Sequence, residues 1–392
     1  MSDAEREGGT PLPGHTDVAV IGGGIAGAST LYHLARCGVA ATLLERNEVG
    51  RGATDAAVGV LTPPLRQPFH ETAHTRGQDA ARDIWTFALR SVAGMGDALT
   101  ELGAAEACGL DLRGGHLLAE PHTLRHVRSS FEGLEAAGFP VRWLSAEQVE
   151  ERCGARGFSG GYLLEGGGAV NPGAAARALA RGAVAAGARV HEGVTVREVR
   201  REAGALVCET GDRPVRATMV IYATHVDSRR FSALLGDEIV PIRGQGLAAR
   251  VAGIPAQPGC FSTHGKLNVW RQDGDGVLHL GGWRHDAWDR SYWKTRPELD
   301  QRLQQDLERW LHTVFPRARV EVLRRWSGIF GWTSDYLPLV GPLPGTPDEL
   351  VISGFSGGGL PFAFECGRVL AHAVAGRDPV PGAARFNPRR FL

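Results

Sequence analysis

The sequence predicts a mixed chain, α/β in a doubly wound, Rossmann-type domain and α+β overall, because a sheet-rich domain is inserted into it. Three observations lead there. A short apolar strand runs straight into the glycines Gly22, Gly24 and Gly27, then a helix and a second strand follow. A strand, glycine turn and helix recur near the C-terminus, around Gly357. The stretch between them is rich in short alternating segments, which is how an inserted sheet reads.

Taken in order, Asp17 to Ile21 reads as a buried strand, and residues 25 to 37 place Ile25, Leu31, Leu34 and Ala35 on one helical face. Val39 to Leu44 is a second apolar strand ending in Glu45, which completes a βαβ opening. Residues 78 to 102 carry helical spacing, and Leu110 to Ala119 alternates as a strand. Ser145 with Gln148 has the form of a capping box. Pro172 suits the first turn of an Ala-rich helix over Ala174 to Ala186, which Gly187 ends. Arg189 to Val199, Ala205 to Glu209 and Val215 to Ala223 read as strands, as do Leu267 to Gln272 and Val277 to Leu280 around a DGDG turn. Leu299 to Thr313 is an amphipathic helix, Leu350 to Ser353 a returning strand, and Pro361 to Val374 a last helix. The expected division is residues 1–90, 150–235 and 331–392 for the nucleotide domain, with 91–149 and 236–330 for the substrate domain.

Bulk properties exclude several function classes. At 392 residues, with 43% hydrophobic and 22% charged residues, the chain has the make-up of a folded protein of more than one domain. Acidic and basic residues balance at 43 each, so no net field draws it to nucleic acid or to an anionic membrane. The six cysteines stand singly, with no CxxC pair and no metal-ligand spacing, so neither a disulfide framework nor a metal centre is predicted. The N-terminal stretch is polar and acidic where a signal peptide needs an apolar core, and no apolar run approaches the roughly 18 residues of a membrane span. A cytoplasmic protein with a small-molecule partner is the expectation.

The glycine pattern carries the chemistry. Gly22 permits a tight turn, Gly24 lets main chain approach a diphosphate, and Gly27 lets helix pack on strand, while Ile25 and Ala26 open the helix whose N–H groups face the anion. Glu45, 18 residues past Gly27, ends the second strand, where a carboxylate accepts from both ribose hydroxyls and disfavours a 2′-phosphate. This pattern alone does not separate FAD from NAD.

The stretches DVAVIGGGIAGASTLYHLARCG, ERNEVGRGATDAAVGVL, VNPGAAARALARGAVAAGARV, PIRGQG, LPLVGPLPG and LVISGFSGGGLPFAFECGRVLA occur in this order across nearly the whole chain. Together they resemble the D-amino-acid oxidase superfamily of FAD enzymes, which includes glycine, sarcosine and γ-glutamylputrescine oxidases. The resemblance implies a Rossmann-type FAD-binding domain with the flavin lying between it and the substrate domain. It implies that Arg46, Gly52, Ala53 and Thr54 wrap the adenosine and diphosphate, and that Val58, Gly59 and Val60 pass beside the isoalloxazine ring. Val196, in the strand after the Ala-rich helix, would meet the adenine through its backbone. Gly357, Gly358, Gly359 and Leu360 would aim N–H groups at the flavin's pyrimidine end, where charge gathers on reduction; a plain helix-entry turn is the competing reading.

The chain also departs from its relatives. Where sarcosine-oxidase-like members attach FAD through a Cys, the position falls at Gly328, which implies non-covalent FAD. Where glycine-oxidase-like members place an Arg for the substrate carboxylate, the position falls at Phe330. RRWSGIFGWTSDYLPLVG and VWRQDGDGVLHLGGWR look closer to the γ-glutamylputrescine oxidase branch, which handles amines. The Lys that assists oxygen chemistry in some members corresponds to His279, with Lys266 nearby, and a structural role for His279 stands beside that reading. Trp270, Trp283 and Trp332 are candidates for an aromatic pocket wall or for core packing. Arg243 is a candidate for an anionic substrate group or for a structural pair.

The implied reaction is oxidation of a C–N bond in a small amine or amino-acid-like substrate, with hydride passing to flavin N5. An imine and then a carbonyl result, and molecular oxygen or another acceptor takes the electrons, giving hydrogen peroxide in the first case. A dehydrogenase of the same fold, a hydroxy-acid enzyme and a flavin-binding subunit without turnover remain as alternatives.

Overall fold

In the computed structural model, which describes residues 11–63, 67–263, 268–282 and 288–392, the strand His15–Ile21 lies inside a parallel sheet. The order across that sheet is Leu339–Leu343, Thr346–Ser353, Val215–Tyr222, His15–Ile21, Ala41–Leu44 and Arg189–His191, and only the first pair is antiparallel. The hairpin Glu198–Glu202 and Ala205–Glu209 pairs onto Val215–Tyr222. The four residues of Ala41–Leu44 are all buried, the near-continuous apolar run expected of a strand covered on both faces. Helices Ile25–Arg36, Pro172–Ala185, Gly359–Val374 and Gln78–Glu101 pack on one another to cover one side.

A second sheet stands beside it, in the order Arg319–Trp332, Val240–Ala252, Val277–Gly282, Val269–Gln272, Cys260–Thr263, Gly115–Leu118, Gly161–Leu164 and Val141–Leu144. It is antiparallel except where Cys260–Thr263 meets Gly115–Leu118. One face carries Leu247, Ala249, Leu278, Leu280 and Trp270, and it buries them against Leu307, Trp310, Leu311 and Val314 of the amphipathic helix Gln301–Val314. Asp300 caps that helix, its carboxylate accepting from the Arg302 and Leu303 N–H groups. The opposite face is crossed by residues 56 to 60. There a two-residue ladder, Val60–Leu61 with Gly168–Ala169, links the layers.

Most expected elements form. Both hydrogen bonds of the Ser145–Gln148 capping box are present, and Pro172 follows an Asn171 cap at the start of its helix. Three expectations differ. The strand over Arg189 to Val199 breaks after His191, because Gly193 and Val194 turn to donate to the Asn47 and Glu45 carbonyls. The division at residue 90 falls inside Gln78–Glu101, whose buried stripe from Ala80 to Leu99 keeps it one helix. Gly161–Leu164, allotted to the nucleotide domain, belongs to the second sheet, paired with Gly115–Leu118 and Val141–Leu144. No described helix is long and apolar enough to cross a membrane.

Candidate functional site

The glycine turn forms a cradle that side chains would fill. Gly22 has φ +105°, and a Cβ there would stand 2.6 Å from the Ala223 carbonyl oxygen. At Gly27 a Cβ would overlap the Gly22 carbonyl oxygen, so helix and turn approach closer than any side chain permits. Gly24 caps the helix in extended geometry, and its missing Cβ leaves 3.0 Å to Thr54 Oγ1. That hydroxyl accepts from the Ile25 N–H at 3.0 Å, so Thr54 is bound to the mouth of the turn. Ile25, Ala26 and Gly27 form the first turn, whose N–H groups and dipole favour an anion.

Glu45 closes one side. Its carboxylate accepts from the Gly23 N–H at 2.6 Å and from the Asn47 N–H at 2.8 Å, and each oxygen keeps lone-pair capacity for a further donor. Val194 donates to the Glu45 carbonyl, which brings the loop holding Val196 to the same strand end; Val196 lies in that loop, not in a strand, with its side chain buried. Arg46 points outward into an ion pair with Asp227 at 2.7 Å. Gly50 donates to the Gly23 carbonyl, so the segment holding Gly52, Ala53 and Thr54 folds back over the turn.

From there the chain crosses the open face of the second sheet. Side chains alternate on Arg319–Trp332, so Trp326, Gly328 and Phe330 share the face that looks at residues 56 to 60. Gly244 and Gly246, directly opposite Gly328 and Trp326, leave room for the Phe330 and Trp326 rings to lie across them. The Trp326 indole N–H donates to the Ala56 carbonyl at 3.0 Å, and a Cβ at Gly328 would come 2.7 Å from that of Ala56. Val58 lies over Gly281, and its carbonyl accepts from Arg271 Nε at 2.7 Å. Gly59, φ +101°, presses against Arg271, and Val60 begins the linking ladder.

The start of the last helix meets this wall at its Phe330 end. Ser356 donates its N–H to the Gly331 carbonyl, and its hydroxyl accepts from the Thr333 N–H, which ties the glycine loop to the end of the long strand. Gly357 has φ +90° and lies beside the Phe330 ring. The Gly358 N–H is consumed by the Phe355 carbonyl, so Gly359 and Leu360, not the whole glycine run, head the helix. Trp332 packs edge-on against Tyr292 and Tyr336, which makes an aromatic corner next to this loop.

Two expected substrate residues are not brought to the wall. Trp270 belongs to the opposite face: fully buried, it stacks on Phe261, meets Trp310 edge-on and donates its indole N–H to Gln257 at 3.0 Å, which is core packing. Arg243 alternates onto the opposite face as well, where it pairs with Glu298 at 3.0 Å and donates to the Arg290 carbonyl. His279 does sit on the open face, opposite Ala248, with Nε2 3.0 Å from Asp273 Oδ2. Burial and the neighbouring Arg271 lower its pKa against the pull of Asp273, which disfavours the charged ring. Lys266 and Trp283 lie outside the described residues.

Sequence reasoning missed Trp326, Arg271 and His225. Trp326 was legible, since it shares the period of Gly328 and Phe330. Arg271 is the buried cation of the open face; burial lowers its pKa, though a guanidinium stays charged, and Asp273 is the acid that favours it. His225, at φ +54°, pairs with the Ile329 carbonyl at 2.8 Å, and burial lowers its pKa; nothing local announced that long-range bond. The described cysteines are free, and burial pushes the Cys260 thiol up to about 12, which leaves it unreactive.

The cradle therefore fits a dinucleotide: glycines without Cβ atoms at a helix start, a carboxylate at the strand end, and a glycine-bearing sheet face crossed by residues 56 to 60. Residues 17–373 match the family described as DAO, FAD dependent oxidoreductase. The chain is 29% identical to the glycine oxidase of Bacillus licheniformis over 374 residues, covering 93% of this chain and 94% of that protein. It is 26% identical to the probable oxidoreductase OrdL of Rhizobium meliloti, covering 94% and 85%. Among solved structures, glycine oxidase from Geobacillus kaustophilus superposes with TM-score 0.82 at 23% identity over 97% of this chain and all of that one, which establishes the shared fold.

Proposed function

The chain belongs to the DAO family of FAD dependent oxidoreductases, and from that premise we propose that it oxidises the C–N bond of a small amine or amino-acid-like substrate, favouring an amine over a simple α-amino acid. FAD, when bound, would supply the two-electron oxidation of the substrate's α-C–N unit and the return of those electrons to dioxygen or another acceptor. The protein's part is placement and environment. The Gly22–Gly27 turn and the first helix would hold the diphosphate, and Glu45 the ribose hydroxyls. Gly359 and Leu360 would direct N–H groups at the pyrimidine end.

The observation that carries the preference for an amine is the Phe330 end of the wall. An aromatic ring lies there across Gly244, and Arg243 on the neighbouring strand is turned to the opposite face and paired with Glu298. A carboxylate would find an apolar surface at that end, whereas a neutral amine with an apolar body would find a matching one. Such an amine expels the hydride with its own lone pair, so no side-chain base need reach the α-carbon. The resulting imine hydrolyses in water. Non-covalent attachment is part of the proposal, supported by Gly328 at the position facing Ala56 and by the buried, unreactive Cys260.

Mixing the purified holoprotein anaerobically with a panel of alkyl amines, polyamines, α-amino acids and hydroxy acids tests this reading. Amines should bleach the flavin, and peroxide on re-aeration would mark an oxidase. Bleaching by simple α-amino acids or hydroxy acids with amines inert would overturn it. Acid precipitation should release all the flavin to the supernatant; colour left in the pellet would refute the non-covalent reading.

A further inference from the structure

We propose that His70, Glu71 and His126 form a surface site for a borderline-soft divalent metal ion of the Zn²⁺ type, separate from the cofactor cradle. His70 and Glu71 lie in the first turn of the helix Phe69–Arg76, and His126 lies in the helix Leu124–Ala136 that packs against it. One ligand atom from each of the three lies within 4.8 Å of the others. The histidine rings are 6.1 Å apart, and His70 Nε2 is 3.9 Å from Glu71 Oε1.

The juxtaposition is pinned from below. Phe69 donates its N–H to Ser130 Oγ at 3.2 Å, and Gly133 lets the Phe69 ring approach the second helix. The helices cannot drift apart without breaking that seat, so the three side chains above it stay together. His70 Nδ1 is buried with no hydrogen-bond partner, an arrangement that is unfavourable for a ring nitrogen left to itself.

Donor chemistry selects the ion. Two imidazoles and one carboxylate match zinc and its neighbours, whereas Mg²⁺ and Ca²⁺ favour all-oxygen sets. Bonds of about 2.0–2.2 Å to one ion need donors roughly 3–3.6 Å apart, so side-chain shifts of about 1 Å close the set, with the outer position left to water. His126 is exposed and Glu71 partly so, which gives the ion its way in. The ion would clip the helices Phe69–Arg76 and Leu124–Ala136 together.

The test uses the FAD-loaded protein, stripped with a chelator, desalted and dialysed against Zn²⁺ alone, with bound metal measured by emission spectrometry. One Zn²⁺ per chain should bind with a Kd on the order of micromolar, with a rise in Tm, and Mg²⁺ should do neither. His126→Ala, at an exposed position, should weaken binding at least about tenfold and abolish the Tm shift, with flavin content and circular dichroism unchanged. His122→Ala, an exposed histidine outside the set, should bind as the parent does. No stoichiometric uptake, or equal uptake by His126→Ala, would overturn the site.

Discussion

Gly24→Val separates cofactor seating from folding. Residue 24 has φ −69° and ψ −179°, an extended geometry that valine adopts readily, so the backbone adds no strain. The new Cβ would meet Thr54 Oγ1 at 3.0 Å and displace it from the Ile25 N–H. Losing that hydrogen bond costs about 1 kcal/mol, and the crowding about 1–2 more, against a typical total of about 5–15 kcal/mol. The protein should therefore fold. The isopropyl group, however, stands over the helix start and denies a diphosphate its close approach. Two lost charge-assisted N–H contacts at about 2 kcal/mol each weaken retention by about a thousandfold. The assay is the flavin-to-protein absorbance ratio after gel filtration, then FAD titration of the product with circular dichroism as the folding control. A folded variant with the parent's flavin content would refute the seat, and an unfolded one would refute the ledger. At Gly27 the overlap is with main chain, so Gly27→Val should yield insoluble protein.

Three further outcomes follow from neighbouring contacts. Trp326→Phe keeps the ring but removes the indole N–H to Ala56, so Tm should fall by the equivalent of about 1 kcal/mol with FAD retained; an unchanged Tm would dismiss that bond. Arg271→Met removes the buried cation behind Val58 and Gly59, so the bound flavin's midpoint potential should become more negative, and dye-equilibration titration would expose an unmoved potential. His116 pairs with the Cys260 carbonyl through Nδ1 and accepts from Arg152 through Nε2, and burial lowers its pKa from 6.5 to about 4. Its folded pKa lies below the unfolded one, so its contribution is complete above pH 6.5 and is lost as pH falls toward 4, by about 2 kcal/mol at about pH 5. Urea unfolding of His116→Gln should show a correspondingly flatter pH dependence, and parallel curves would refute the assignment.

How far the molecule could be read from its residues depends on the range over which each feature is specified. The opening βαβ unit was legible because Gly22, Gly24, Gly27 and Glu45 act within one turn and one strand end, and each is restricted by local sterics or charge. The Ser145 cap and the Pro172 helix start were legible for the same reason, whereas the Asn171 cap before Pro172 came only with the structure. The wall was harder, because a tryptophan in an alternating segment fits either face of a sheet, and the face is set by what packs on it from elsewhere. Trp270 and Trp326 show the difference: the first lies on the face covered by the helix Gln301–Val314, the second on the face crossed by residues 56 to 60. Arg243 follows the same parity rule, one residue from Gly244 and therefore on the other face, toward Glu298. One residue of register thus decides whether a side chain joins the core or the site. Gly244 and Gly246 fit that register, since residues without a Cβ let the Phe330 and Trp326 rings lie across the ladder. Specificity should therefore be most sensitive at Gly244 and Gly246, where an added methyl group displaces the Phe330 or Trp326 ring rather than the Gly22–Gly27 turn.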